Sequence, residues 1–463
     1  MPYPNPPFST RNLCRPCLIA VILAIPFPVP CFAQVTTAIV PDSTLPVNSS
    51  VHQIDRNFHI TAGTSVGANL FHSFDTFHVG TGDTANFVNP GGMANILSRI
   101  TGDTVSNIFG TLQSESTANL FFMNPNGVVF GPDATLNVNG SFHVSTADFL
   151  SLGEDPDSGH FPASDQNQGT LLSVAPPEAF GFLEGHNGLI AIQGSRLGVP
   201  AGETLSVIGG PIQIDGGSTG FLSAPEGQIN LVAVGAPGEV PLNSTIWIPT
   251  FNQRLKNIEL TDGAVLDTSG DKGGAIAIKA EQLTISDSFI LGVTRGEGNG
   301  TGVDIFVSDS VLISNGIISS ATISKGHAGA IHITAPTLTV DDAIIGTGSF
   351  GEGAAGPLTV NVDRLTVQQG GFLDTRSSPQ GNGGFLTIQG LGGTQSYASE
   401  VTLTGSTGNF TGEPSALIAN ALGQGETAGH AEELPFLPNI YRSKTEDGSP
   451  VEPREMATPV ISI

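Results

Sequence analysis

The chain has 463 residues and a formal net charge of −25, with 41 acidic against 16 basic residues. That balance excludes nucleic acid and anionic lipid surfaces as partners, because both are gripped by basic stripes. Sixty glycines and a 39% hydrophobic share describe a long, turn-rich chain that can still bury a core, and its acidity keeps a long β protein soluble.

Residues 1–33 read as a secretory leader. Arg11 and Arg15 form a basic start, Leu18–Ile25 an apolar centre, and Cys31-Phe32-Ala33 a small-residue end, with cleavage predicted after Ala33. Pro26, Pro28 and Pro30 interrupt the run, which is also too short to span a bilayer. No other stretch approaches transmembrane length, so no membrane anchor is expected. Cys14, Cys17 and Cys31 all lie in this leader. A chain from residue 34 has no thiol for a nucleophile, a metal or a disulfide, and carries 14 basic against 41 acidic residues, a net of −27.

Next come aromatic β blocks. Asn69–Val79 is one, Phe87–Gly102 a second, and Ala118–Asp133 a third. The third is an apolar run, then Asn124-Pro125-Asn126-Gly127, then Val128-Val129-Phe130. It predicts strand, tight turn, strand: Pro125 presets φ, and Asn126-Gly127 tolerates the left-handed conformation. Leu136–Thr146 and Leu205–Ile214 follow as further strands.

Taken together, these blocks resemble, in order, the two-partner secretion domain that heads filamentous-haemagglutinin-like exoproteins of Gram-negative envelopes. The resemblance covers roughly residues 34–240. It implies export through the periplasm and across the outer membrane by a dedicated partner transporter. It also implies that periplasmic domains of that transporter recognise the turn of Asn124, Pro125, Asn126 and Gly127. Asn89-Pro90-Gly91 stands where some members carry a second Asn-Pro-Asn turn, so Asn89 and Pro90 join the candidate recognition residues, with the variant turn as a departure. A purely structural role for Asn124–Gly127, needed only for folding, is the competing reading.

From about residue 255 a repeat of about 27 residues sets in. Gly274–Ile278 is followed by Leu283-Thr284-Ile285, Gly329–Ile333 by Leu338-Thr339-Val340, and Gly356–Val360 by Leu365-Thr366-Val367. Val303–Val307 with Val311-Leu312-Ile313 fits after a one-residue shift, and a fifth unit opens at Gly384. Each unit reads as three short strands, the third at Ile290, Ile318, Ile345 and Leu373. Alternation places Ile276, Ile278, Leu283 and Ile285 on one face. A single unit cannot bury that face, but stacked units can, and the connections are too short for βαβ crossovers. The predicted fold is all-β: a parallel, right-handed β-helix. Residues 241–400 are read as its regular coils and 401–463 as an irregular or partly disordered tail, with no terminal run of strands for an outer-membrane barrel.

β-Helices include polysaccharide lyases and hydrolases, so their chemistry was sought. Asp341-Asp342 is a carboxylate pair and Gly326-His327-Ala328 lies nearby, but their order is reversed relative to pectin-type hydrolases and the last glycine is missing. Both fit turn chemistry. The ten histidines are scattered, with His332 expected to point outward and His72 and His78 to lie on the strand surface. No catalytic residue, metal site or cofactor is expected. The expected activity is that of a secreted adhesin or haemagglutinin-like protein, extracellular or on the cell surface, with a host, matrix or cell-surface ligand. A secreted β-helix polysaccharide lyase or hydrolase, or a passive matrix protein, are the alternatives.

Overall fold

The computed structural model describes residues 35–154, 159–163, 171–183, 188–217, 220–242, 254–378, 380–405, 408–412 and 414–419, together with the backbone of 441–443 and 461–462. The leader of residues 1–33 lies outside the described residues, as does most of the segment after 419. Among the described residues no helix is long and apolar enough to cross a membrane.

The chain winds as a parallel β-helix. Two long sheets run along it, one of 21 and one of 13 strands among the described residues, and nearly all neighbours pair in parallel. In the regular part, Ala275–Ser286 pairs with Gly302–Ser314, then Ala330–Asp341, then Leu358–Gln368. Hydrogen-bonded side chains on successive coils sit 27 or 28 residues apart. Ile276, Ile278, Leu283 and Ile285 all point into the core. The extra residue read in the coil of Val303 is a bulge: pairing breaks between Phe306 and Ser310 and resumes one residue out of step.

Two expectations need correcting. In the four regular units the first two strands are not separate. They fuse into one strand of 11 to 13 residues, such as Ala275–Ser286, because only a short bend without glycine lies between them, and Pro336 is accommodated at that bend in Ala330–Asp341. The repeat also persists where it fades in sequence. Glu400–Thr404 stacks on Leu358–Gln368, and Ala416–Ile418 on Phe372–Asp374. A 3₁₀ turn at Gly393–Gln395 lengthens that coil and obscures its period. Tyr441–Ser443 and Ile461–Ser462 add further parallel backbone pairings to the first sheet.

The corner after Ile258–Thr261 and after each long strand carries a non-glycine residue with positive φ: Asp262 at 53°, Asp287 at 52°, Asn315 at 50°, Asp342 at 47° and Gln369 at 50°. Asp and Asn tolerate that region better than other non-glycine residues. The next corner is closed by buried hydroxyls. Thr294, Thr322, Ser349 and Ser377 bridge coil to coil. Thr322 Oγ1 donates to Gly326 O at 2.6 Å and Ser377 Oγ to Gly381 O at 2.9 Å, pinching off the loop between.

The first half is less regular. Ala38–Pro41 and Thr64–Val66 pair antiparallel with Asn69–His78, and Ser49–Ile54 with Asn57–Ala62 forms a hairpin over the start of the second sheet. Four strands, Phe149–Leu152, His160–Pro162, Pro177–Phe182 and Gly238–Pro241, form a separate antiparallel sheet. Its apolar face packs on the outside of the helix, burying Phe71, Leu97, Phe121, Phe161 and Phe180 in a second core. This explains the phenylalanine-rich blocks: their strands are covered on both faces and read as continuous apolar runs.

Candidate functional site: the Asn124–Gly127 corner

Asn119–Met123 and Val128–Phe130 are consecutive strands of the first sheet, and Asn124–Gly127 is the corner between them. Gly127 N donates to Asn124 O at 3.1 Å, which closes a β-turn with Pro125 and Asn126 at its centre. Gly127 has φ +123°, whereas Asn126 keeps negative φ, so only one of the two residues expected to be left-handed is so. A type I turn needs negative φ at both central positions, and Gly is favoured at the fourth.

Asn124 is fully buried. Its Nδ2 donates to Thr104 O and Ser106 Oγ, both at 2.9 Å. Its Oδ1 accepts from Asn126 N at 3.0 Å and Asn126 Nδ2 at 3.1 Å. The amide thus spends its full hydrogen-bonding capacity within the fold. Asn126 Nδ2 reaches down to Gly102 O at 2.7 Å. Pro125 and Gly127 are buried, and Asn126 is the exposed member of the turn. Val105 and Leu189, both exposed, flank the corner on the coils below and above.

The coil above requires a residue that sequence reading missed. Gly188 N donates to Pro125 O at 3.2 Å, and a Cβ on Gly188 would sit 2.5 Å from Asn126 C and Gly127 N. Only a glycine lets the chain return from the side sheet directly over the turn.

Asn89 and Pro90 lie at a different corner, between Thr84–Phe87 of the second sheet and Asn95–Ile100 of the first. The fold does not bring the two turns together. Asn89 Oδ1 accepts from Gly91 N at 2.8 Å, and its Nδ2 donates to Met93 O at 3.0 Å and Ser116 Oγ at 3.1 Å. Pro90, Gly91 and Gly92 are exposed, the two glycines with open space around them.

Three further polar residues in the aromatic blocks form a ladder. Asn119 Nδ2 donates to Asn95 Oδ1 at 3.2 Å, Asn95 Nδ2 to Asn69 Oδ1 at 2.9 Å, and Asn69 Nδ2 to Ser173 O and Ala175 O at 3.0 and 2.7 Å. Each is the first residue of its strand, Asn69–His78, Asn95–Ile100 and Asn119–Met123, so an Asn directly before each apolar run was the available signal.

His72 is not a surface residue. It is fully buried, faces the core between Phe74 and Phe87, and shares a 2.9 Å hydrogen bond with Ser49 Oγ. The N-terminal hairpin, not foreseen from sequence, covers it. Burial pushes its pKa down to about 4, and does the same to His143, which stacks on Phe121 at 4.5 Å. His78 is only partly buried, and burial lowers it too. His332 points outward and meets Asp304 at 3.1 Å, a bond that raises its pKa.

The carboxylate pair is used in the turn ladder. Asp342 holds a positive-φ corner and accepts from Phe410 N at 2.6 Å and from Thr411 N and Oγ1 at 2.9 and 3.0 Å. Burial alone would raise its pKa, but these bonds outweigh it and hold it below the usual carboxylate value. His327 Nδ1 accepts from Ala354 N at 2.9 Å in the neighbouring coil. Among the described residues no three His, Cys, Asp or Glu side chains gather as a metal would need.

Among curated proteins none matches this sequence. Among solved structures, the HMW1 secretion domain from Haemophilus influenzae aligns over 77% of this chain and 95% of its own, at 18% identity and a TM-score of 0.44. The filamentous hemagglutinin secretion domain aligns over 77% and 97%, at 16% identity and a TM-score of 0.32. The family model of the TPS secretion domain matches residues 37–279, more than half the chain, from the N-terminal cap through the Asn124 corner and into the first regular coil. The chain therefore belongs to the TPS secretion domain family, the exoproteins of two-partner secretion.

Proposed function

We propose that this exoprotein is an adhesive β-helix, carried across the outer membrane by its partner transporter and acting outside the cell by binding a host, matrix or neighbouring-cell surface. The observation that carries the adhesive part is where its exposed rings lie. Among the described residues, the aromatic side chains most open to solvent are Phe350, Phe385, Tyr397 and Phe410, all beyond the segment shared with the family. Aromatic faces are the usual anchors of binding surfaces. Among the described residues of the shared segment, the phenylalanine rings are buried or only partly open.

In this reading the first half handles export and the last coils handle contact. The Asn124–Gly127 corner and the Asn89-Pro90 turn are two separate recognition elements for the periplasmic domains of the transporter. The first offers Asn126 between Val105 and Leu189, and the second offers Pro90 beside two open glycines.

The test has two arms. Co-expression with the transporter, against a transporter-free control, should give release that depends on the transporter and falls in Asn126→Ala and Pro90→Ala. Released protein should then bind cells or immobilised glycans, and Phe350→Ala with Tyr397→Ala should weaken that binding without altering release. Equal binding by the double variant would remove the adhesive assignment. Equal release without transporter would remove the export assignment.

A further inference from the structure

The two outer faces of the regular coils differ in composition. On the first sheet they carry Thr284, Asp304, His332, Thr339 and Thr359 among other polar groups. On the second sheet each strand has three residues, and the middle one points inward: Leu266, Ile290, Ile318 and Ile345 are fully buried. The first residue of each points outward. Phe221, Val265, Phe289, Ile317 and Ile344 stack in register, one directly on the next, and all are partly open to solvent. The next residue in the column, Phe372, is buried within the monomer and ends the open part of the ridge.

We propose that this ridge is a homodimer interface, in which two copies pack ridge to ridge about a two-fold axis near Phe289, the middle of the five. Three observations favour a second copy as occupant. First, a straight apolar column with a step of about 4.8 Å per coil is matched in pitch along its length by another β-solenoid of the same step. With the copies running in opposite directions, Phe289 meets its own copy at the axis, Val265 meets Ile317 and Phe221 meets Ile344, so every contact along the column is apolar and self-complementary, as an isologous interface must be.

Second, charge leaves this face open. The chain carries a net −25, so copies repel elsewhere. On the outward positions of these five strands the charged residue is Asp267, whose Oδ1 already accepts from Ser269 N at 2.8 Å. Asp262 and Asp287 stand exposed on the flanking corner, so screening by salt should strengthen association.

Third, the area suits a weak dimer. Five coils give a strip about 25 Å long, or roughly 400–500 Å² per copy with its flanks, against about 800 Å² for a standard interface. Association is thus expected at roughly 10–100 µM, a range reached where many copies crowd one surface.

The experiment is sedimentation equilibrium of the secreted chain from about 1 to about 200 µM, at about 0.05 and about 0.5 M salt. Association should rise with concentration and with salt, and Phe289→Asp should weaken it at least tenfold with the thermal midpoint nearly unchanged. Ile317→Thr, a milder change, guards against misfolding and should weaken association less. Because residues 34–463 contain no cysteine, Phe289→Cys should form a disulfide-linked dimer under mild oxidation, while Leu312→Cys on the first sheet should not. A monomer at every concentration in high salt, equal association by Phe289→Asp, or preferential cross-linking at Leu312→Cys would each overturn the proposal.

Discussion

The Arg99 guanidinium carbon lies 4.5 Å from the centroid of the Phe161 ring, across the seam between the β-helix and its side sheet. Arg99 is almost fully buried. Its Nε donates to Ser73 Oγ at 2.9 Å, Nη1 to Pro162 O at 2.5 Å and Nη2 to Thr44 Oγ1 at 2.8 Å. Asp42 supplies the compensating charge. Burial alone would raise its pKa, but hydrogen bonds from Ser73, Thr101 and Thr44 outweigh it and keep it low. Burial lowers Arg99 to about 10, still protonated at neutral pH. One side chain thus ties the N-terminal cap, a coil strand and the side sheet together.

Arg99→Ala is expected to cost about 3–5 kcal/mol, because it strands Asp42 and opens a void under Phe161. Arg99→Lys should recover little, since an ammonium cannot reach three partners in fixed directions. Urea midpoints of the two variants check this.

Asn124→Ala should lower stability by about 2–4 kcal/mol, as it leaves Ser106 Oγ, Thr104 O and Asn126 N without their partner. Asn126→Ala, at an exposed position, should cost about 1 kcal/mol. If the corner is a recognition element, export by Asn126→Ala falls far more than its unfolding midpoint does. If the turn serves folding only, the two losses track each other across both variants.

Gly188→Ala places a methyl group against the backbone of Asn126 and Gly127, so something must move. The expected outcome is a protein whose Asn124 corner is protected less from hydrogen exchange while the coils after residue 254 keep their protection. Uniform loss would mean that the corner nucleates the whole solenoid.

His72 and His143 make stability depend on pH. Both fold with pKa near 4, below the ordinary 6.5, so the unfolded chain binds more protons between those values. Their contribution is fully present above about pH 6.5 and is lost as pH falls toward 4, at about 2 kcal/mol each by pH 5. Nε2 of His72 has no partner in its pocket, so a proton there would be buried unpaired. The thermal midpoint should therefore drop between pH 7 and 5, and His143→Gln should flatten part of that slope.

Asp342→Ala combines loss of the Phe410 and Thr411 bonds with a strained positive φ. Loosening should concentrate in residues 408–412, and proteolysis within that stretch should speed up. Asp342→Gly, free of the strain, should lie between the variant and the natural chain.

The regular coils were legible because their period is carried by inward Ile, Leu and Val at alternate positions, a signal that stacking must preserve. The third strands at Ile290, Ile318, Ile345 and Leu373 are at the core positions expected of them. The side sheet was not legible. Its strands are separated by long excursions: Phe149–Leu152 pairs with His160–Pro162 on one side and with Pro177–Phe182 on the other, and Pro177–Phe182 pairs with the distant Gly238–Pro241. Nor could sequence show that His72 is buried, since the hairpin that covers it is a tertiary event. At the candidate site the turn was visible in Asn-Pro-Asn-Gly itself. Gly188 was not, because its need arises only once a strand 60 residues later returns over the turn.

The hydroxyl clasps at Thr322, Ser349 and Ser377 have an evolutionary consequence. Each seals the base of its loop, so residues between the clasp and the next strand of the first sheet can be lengthened, shortened or replaced without disturbing the stacked interior. Sequence drift is thereby channelled into one exposed corner of every coil, where new specificities can arise while the load of folding stays on an unchanging frame.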